Sequence, residues 1–456
     1  MSNEAAIPET DFSRCWIMIL LALLAIAAYV PVLTQPFISD DYANIRQART
    51  YGPLSGWTAM LSDPVNRVRA SSWILTYWIE HAFGLSPRAF YAASILLHVL
   101  NTWLVYSLGN WRMVGWRASA LAAGFFAVYE GHAEAVMWYS ASNELLQFFF
   151  GVLCLLSWIA FIQASSLDLF WYAASFVCFL LALASKESAV VFVALLLLPF
   201  LGEAQKRRRF ACILPFLAIA AIYSWSIFET RAYSFRFHDG SFSLQAPAWI
   251  TWTKSVWRLF WVWGFASIVT VIALSARKWR RLVMMGFIWV TIALVPYCFL
   301  TYDTHVPSRQ AYLASAGLAW IVSAGFLAFR DRFVTARPFL VYSVAALLIV
   351  FNCGNLWTKK RSHFLTRAAP TEALIEAARR VDGPIHIRCT PSTGWNGCHC
   401  FPYSPLVAEA ALELATTKPA PRVIWSTELV QGTDFCWQPP PKEQNWIWQR
   451  LRRRRE

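Results

Sequence analysis

The chain has 456 residues, 57% of them hydrophobic and 14% charged, with a mean hydropathy of +0.43 and a formal net charge of +14. A soluble protein of this length needs far more charge to cover its surface, which excludes a water-soluble fold. The excess positive charge lies in short clusters between apolar runs, as in cytoplasmic loops of membrane proteins, so no nucleic-acid partner is expected.

A helix needs about 20 mostly apolar residues to cross the hydrocarbon core. Such segments are predicted at 16–36, 88–108, 116–131, 144–163, 168–184, 187–202, 210–228, 255–274, 282–300, 311–329 and 338–357. The first follows Arg14 and ends without a small-x-small cleavage site, so it reads as an uncleaved span. With residues 1–15 in the cytoplasm, Arg112 and Arg117, the Lys206–Arg209 run, the Arg277–Arg281 run and Arg330, Arg332 and Arg337 all fall on the cytoplasmic side. The expectation is an all-α polytopic membrane protein of about 11 transmembrane helices, with its membrane domain at 16–357 and a first external loop at 37–87. Inside that loop, Ser71–Phe83 is amphipathic and is predicted to lie on the outer surface.

Residues 358–456 change character, with Pro439-Pro440-Pro441, further turn signals and scattered charge. They read as a small soluble domain of α/β or mixed type on the periplasmic side. Strands are expected at Pro384–Cys389 and Arg422–Ser426 and a helix at Thr371–Val381. Cys389, Cys398, Cys400 and Cys436 fall here. The one-residue gap of Cys398-His399-Cys400 is not zinc-finger spacing. An even number of cysteines in an exported domain reads as disulfides, with the pairing open. The Arg452–Arg455 tail reads as a solvated end, and no internal repeats are visible.

Ionisable residues beside a bilayer are costly and point to function. Asp40 and Asp41 stand at the exit of the first span. They can bind a divalent cation, act as a general base with an orienting neighbour, or cap a helix. Glu130, His132 and Glu134 form a second group, able to converge on a cation, a metal-bound phosphate or an acceptor hydroxyl. Lys186, in Ala184-Ser185-Lys186-Glu187-Ser188, can meet a phosphate or pair with Glu187. Arg309 starts another span and suits bidentate phosphate recognition or snorkelling, and Arg67 and Arg69 add positive charge in the first loop. Asp41, His132 and Glu134 are the candidate metal ligands, a divalent cation being the cofactor they would serve. Carboxylates and cations together at span ends suit a lipid-linked phosphosugar. A transporter or flippase of such a lipid is the alternative, although transporters place charges mid-span.

At these residues the sequence resembles the GT-C superfamily of membrane glycosyltransferases. Within it, the protein O-mannosyltransferase-like group is most similar, especially the transmembrane part of the tetratricopeptide-containing O-mannosyltransferases. Phe37–Asp41 resembles the family's acidic first-loop motif, Leu96–Asn101 its His-x-x-Asn span and Gly131–Trp138 its His-x-x-x-Glu-Ala-Val-x-Trp stretch, here one residue shorter. Leu183–Glu187 is similar to its Ser-Lys-Glu turn, and Arg309–Gly317 to its Arg-Tyr-Leu-Tyr-x-x-Ser-x-Gly segment. The resemblance covers residues 15–330 in order. Gln310 interrupts the last motif, and Ala70 stands where a proline is usual.

The resemblance implies an inverting transfer of a hexosyl or mannosyl unit from a polyprenyl-phosphate donor at the external face of the membrane, which is expected to be a bacterial inner membrane. The acceptor is a hydroxyl of a glycan, glycolipid or protein. Of the acidic pair, Asp40 would be the base; Lys186, Arg309 and Arg69 would face the donor phosphate; His132, Glu134 and Glu130 would serve the acceptor or a metal. His98 and Asn101, at i, i+3 spacing, read as packing or interhelical hydrogen-bond residues.

Overall fold

A computed structural model of the chain describes residues 11–53, 69–201, 204–229, 242–301, 303–381, 383–389, 405–416, 423–425 and 434–437. Arg67, the side chains at 206–208, Cys398, Cys400, Pro439–Pro441 and Arg452–Arg455 lie outside the described residues. The chain divides into two compact units, one of residues 1–35 and 47–362, the other of residues 36–46 and 363–456.

The first unit is helical. Among the described residues, eight helices are long and apolar enough to cross a membrane by length and composition. They are Ser13–Thr34, Pro87–Asn110, Tyr139–Gln163, Arg209–Glu229, Ala248–Ala273, Arg277–Tyr297, Arg309–Phe333 and the beginning of Pro338–Arg380. Three shorter apolar helices, Trp116–Val128, Leu169–Leu183 and Glu187–Leu201, stand at the remaining expected positions. Each of the eleven expected segments therefore finds a helix, and the chain has the architecture of an all-α polytopic membrane protein. The amphipathic segment of the first loop is the Ala70–Phe83 helix, which buries Trp73, Thr76 and Ile79 at threefold spacing.

Arg309–Phe333 is the core helix, with 89% of its apolar window buried. Small residues make this possible, because without them neighbouring backbones cannot approach. Gly317 meets Gly286 of the Arg280–Leu294 helix so closely that a Cβ on Gly317 would come within 2.5 Å of the Gly286 carbonyl oxygen.

The second unit combines residues 36–46 with the rest of the Arg361–Arg380 helix, a small sheet and the Pro405–Ala415 helix. The expected helix at 371–381 is the latter part of Arg361–Arg380, which continues through Pro370. That proline reads locally as a break, because it lacks an N–H and crowds the preceding turn. The sheet has β1 (Ile385–Cys389), β2 (Val423–Trp425) and β3 (Asp434–Cys436), all parallel, in the order β2-β1-β3. Ile385 pairs with Val423, and Ile387 with both Trp425 and Phe435. Parallel neighbours need a crossover, and the Pro405–Ala415 helix lies between β1 and β2. β1 and β2 match the expected strands; β3 is additional. Cys436, at the end of β3, is disulfide-bonded, as the cysteine reading expects of it.

Candidate functional site

Asp40 and Asp41 are the first two residues of the Asp40–Tyr51 helix. The preceding Ser39 has φ 41°, a left-handed conformation that non-glycine residues seldom adopt and that often marks functional turns. Asp41 is fully buried, and its Oδ2 accepts the Ile38 N–H at 2.9 Å. A first-turn carboxylate reaching back to an amide outside the helix is a cap, and its charge complements the helix N-terminus. Asp40 is only half-buried. The capping role thus falls to Asp41 and leaves Asp40 the more accessible carboxylate.

Glu130–His132 is a 3-10 turn followed by a single helical turn, Ala133–Val136. His132 is buried, with Nε2 2.6 Å from Ser315 Oγ on the core helix and its ring against Phe126 at 4.4 Å and Tyr312 at 4.6 Å. Burial, with His98 close by, holds its pKa well below the usual imidazole value, so the ring is neutral at neutral pH. Glu134 receives Arg309 Nη1 at 2.9 Å on one oxygen, and the Ser308 hydroxyl at 2.9 Å and the Arg309 N–H at 3.2 Å on the other. The Arg309 guanidinium lies over the Trp138 ring, 4.7 Å from its centroid. Glu134, Arg309 and Trp138 therefore bind the 130–138 connection to the start of the core helix.

Lys186 is 3% exposed and forms an ion pair with Glu144, in the first turn of the Ser142–Gln163 helix. Its ammonium sits 5.0 Å from the Tyr297 ring centroid, and the Tyr297 hydroxyl lies 3.3 Å from Glu144 Oε2 and 2.6 Å from Ser188 Oγ. Burial lowers the Lys186 pKa, and the Glu144 carboxylate opposes that shift. The partner of Lys186 is thus Glu144. Glu187 instead lies 3.9 Å from Arg69, whose neighbour Ser71 donates to Ser185 Oγ at 2.7 Å. Each of the three cations expected at a phosphate is matched by a carboxylate here.

A cavity of about 420 Å³ opens in the first unit, lined by Glu130, His132 and Ser308 together with Arg258, Lys359 and Lys360. Trp261, Leu259 and Phe351 add apolar side chains to its lining. Lys360 is 3.8 Å from Glu130, whose N–H donates to Asn352 Oδ1 at 3.0 Å. Two local irregularities shape this cavity. Leu356–Lys360 is a π-helical turn, a form common at functional sites. Trp261 breaks the Ala248–Ala273 helix with φ 36° and stacks on Phe351, with centroids 5.6 Å apart. Three cations against one carboxylate suit an anionic group, and the apolar side chains suit an apolar tail.

Glu130 and His132 are the expected residues that line the cavity. Sequence reasoning missed Arg258, Lys359 and Lys360, although signals exist. Arg258 is a charge inside a predicted span. Lys359-Lys360-Arg361 follows the last span on the side that the positive-inside rule leaves poor in cations. His98 and Asn101 make the interhelical bonds expected of them: both reach the Tyr312 hydroxyl, at 2.8 and 3.3 Å.

Atoms of the donors expected for a divalent cation make other contacts in the structure. Glu134 serves Arg309 and Ser308, His132 Nε2 meets Ser315, and Asp41 accepts from Ile38. Among the described residues, no three His, Cys, Asp or Glu side chains gather as a metal site.

The sequence matches no known protein family profile and no curated protein sequence. Its fold is similar to that of the oligosaccharyltransferase of Archaeoglobus fulgidus, in a structure tethered with an acceptor peptide, with a TM-score of 0.53 and 12% identity. That likeness covers 91% of this chain and 64% of the other, so the chain spans less than two-thirds of that protein. A structure of the same oligosaccharyltransferase with an inhibitory peptide and a dolichol-phosphate gives 0.52 at 12% identity over 88% and 64% of the two chains. A third, with Zn and sulfate, gives 0.51 at 14% over 90% and 62%. At such identities the likeness is one of fold.

Proposed function

We propose that the protein is an inverting glycosyltransferase that moves a sugar, of hexosyl or mannosyl type, from a polyprenyl-phosphate donor to an acceptor hydroxyl. The reaction takes place at the external face of the membrane, which in a bacterial cell is the periplasmic face. The observation that carries this reading is the cavity, whose lining combines the cations Arg258, Lys359 and Lys360 with the apolar side chains of Trp261, Leu259 and Phe351. A polyprenyl phosphate has both features, a dianionic head and an apolar chain. The fold shared with an oligosaccharyltransferase agrees with this reading.

In the proposed reaction, Asp40 removes the proton of the acceptor hydroxyl, and that oxygen attacks the anomeric carbon from the face opposite the phosphate. The bond from the anomeric carbon to the phosphate oxygen breaks, and polyprenyl phosphate leaves with the electron pair. Arg258, Lys359 and Lys360 offset the charge that grows on the departing phosphate. Lys186, Arg309 and Arg69 support the framework through Glu144, Glu134 and Glu187. Acceptor selection falls to Glu130 and His132, which line the same cavity.

The test uses purified protein in liposomes with a labelled polyprenyl-phosphate hexose and follows both the released lipid phosphate and the glycosylated product. Asp40→Asn is expected to abolish turnover and leave the protein folded; full activity in that variant would remove Asp40 as the base. Movement of the lipid across the bilayer with no product would replace the enzyme by a transporter. Mass spectrometry of glycans and glycolipids from cells with and without the protein identifies the acceptor.

A further inference from the structure

Residues 36–46, which carry Asp40, belong to the same compact unit as residues 363–456. Phe37, Ile38, Tyr42 and Ile45 are buried, so the segment is an integral part of that unit and not an open loop. Polar contacts hold it as well. The Tyr42 hydroxyl donates to Glu372 Oε1 at 3.4 Å. Arg46 Nε lies 3.0 Å from Glu413 Oε2, and Arg46 Nη1 lies 3.7 Å from Glu409 Oε2. Glu409 and Glu413 are one turn apart on the Pro405–Ala415 helix and present a two-carboxylate clamp on one face. Tyr42 and Arg46 are likewise one turn apart. Asp40, two residues before Tyr42, is turned roughly 200° around the helix from it. The anchored face is therefore opposite the face of Asp40.

We infer that the C-terminal unit is the holder of the acidic turn: Glu372, Glu409 and Glu413 are positioning residues that fix Tyr42 and Arg46 and thereby aim the Asp40 carboxylate. This inference rests on Asp40 being the base in the reading above. Arg46, Glu409 and Glu413 are each about one-third to one-half exposed, and ion pairs at such sites contribute little to global stability. Their effect is on where Asp40 stands, and small displacements of a reacting group are costly in rate.

The experiment compares full-length wild type, Arg46→Glu and the reversed set Arg46→Glu/Glu409→Arg/Glu413→Arg in lipid nanodiscs. Amide hydrogen exchange over 36–46 and turnover of a polyprenyl-phosphate mannose are read in parallel. Arg46→Glu is expected to exchange roughly tenfold faster in this segment, including the Ile38 amide held by Asp41, with no change in the core helix. Its turnover number is expected to fall on the order of 10–100-fold with the KM for the lipid donor unchanged. The reversed set is expected to recover both readouts. Unchanged exchange in Arg46→Glu, or a reversed set that recovers neither readout, overturns the inference. If Arg46→Glu does not fold, Glu409→Gln/Glu413→Gln replaces it, with the same outcomes. A wild type without turnover on any polyprenyl-phosphate sugar refutes the glycosyltransferase reading, while the exchange measurement still decides whether the C-terminal unit holds the turn.

Discussion

Lys186→Met is the sharpest probe of how this protein uses its buried charge. In the structure Lys186 and Glu144 have side chains only 4% exposed and face each other, with the Tyr297 ring over the ammonium. Removing the cation leaves the Glu144 carboxylate buried and unmatched, which costs about 3–5 kcal/mol. Loss of the contact with Tyr297 adds up to about 2 kcal/mol. For a chain of this size 1 kcal/mol corresponds to roughly 2 °C, so the unfolding midpoint should fall by about 6–14 °C. Lys186→Met/Glu144→Gln removes both charges and should recover most of that loss. The assay is thermal unfolding in detergent, followed by the emission of the 25 tryptophans. A single variant that melts like wild type but has lost turnover would refute the reasoning, because it would make Lys186 a ligand contact and not a brace.

Asp41→Asn should destabilise the protein by about 1–2 kcal/mol, because a charged acceptor of the Ile38 N–H is replaced by a neutral one; Asp40→Asn should destabilise it less, while turnover disappears. Arg258→Met and Lys360→Met should each raise the KM for a polyprenyl-phosphate donor by about tenfold, since a charge-assisted bond to phosphate contributes about 1.5–3 kcal/mol; a KM unchanged in both would remove the cavity as the phosphate site. His132 has a folded pKa depressed below the ordinary 6.5, so below about pH 6.5 the unfolded chain takes up a proton that the folded chain refuses. Its contribution to stability is therefore complete above that pH and declines as the pH falls. His132→Gln should show a shallower acid decline in melting temperature, and an unchanged decline would place the acid sensitivity elsewhere.

Sequence alone determined the helical spans, the amphipathic helix of the first loop, β1 and β2, and the interhelical roles of His98 and Asn101. Apolar length, periodicity and a polar residue inside a span are properties of a short stretch of chain, so they can be read locally. The expected site residues were legible as a set of costly charges, but their partners were not. Lys186 meets Glu144 across 42 positions and Arg309 meets Glu134 across 175, which only the packing of separate helices can bring about. The cavity cations were obscured for a related reason. Lys359 and Lys360 line it from a π-helical turn, and helical spacing alone does not announce that turn. The different surroundings of Asp40 and Asp41 were also decided by tertiary structure. The two are chemically alike and adjacent in sequence; they differ because one carboxylate turns inward to the Ile38 amide and the other stays partly open to its surroundings.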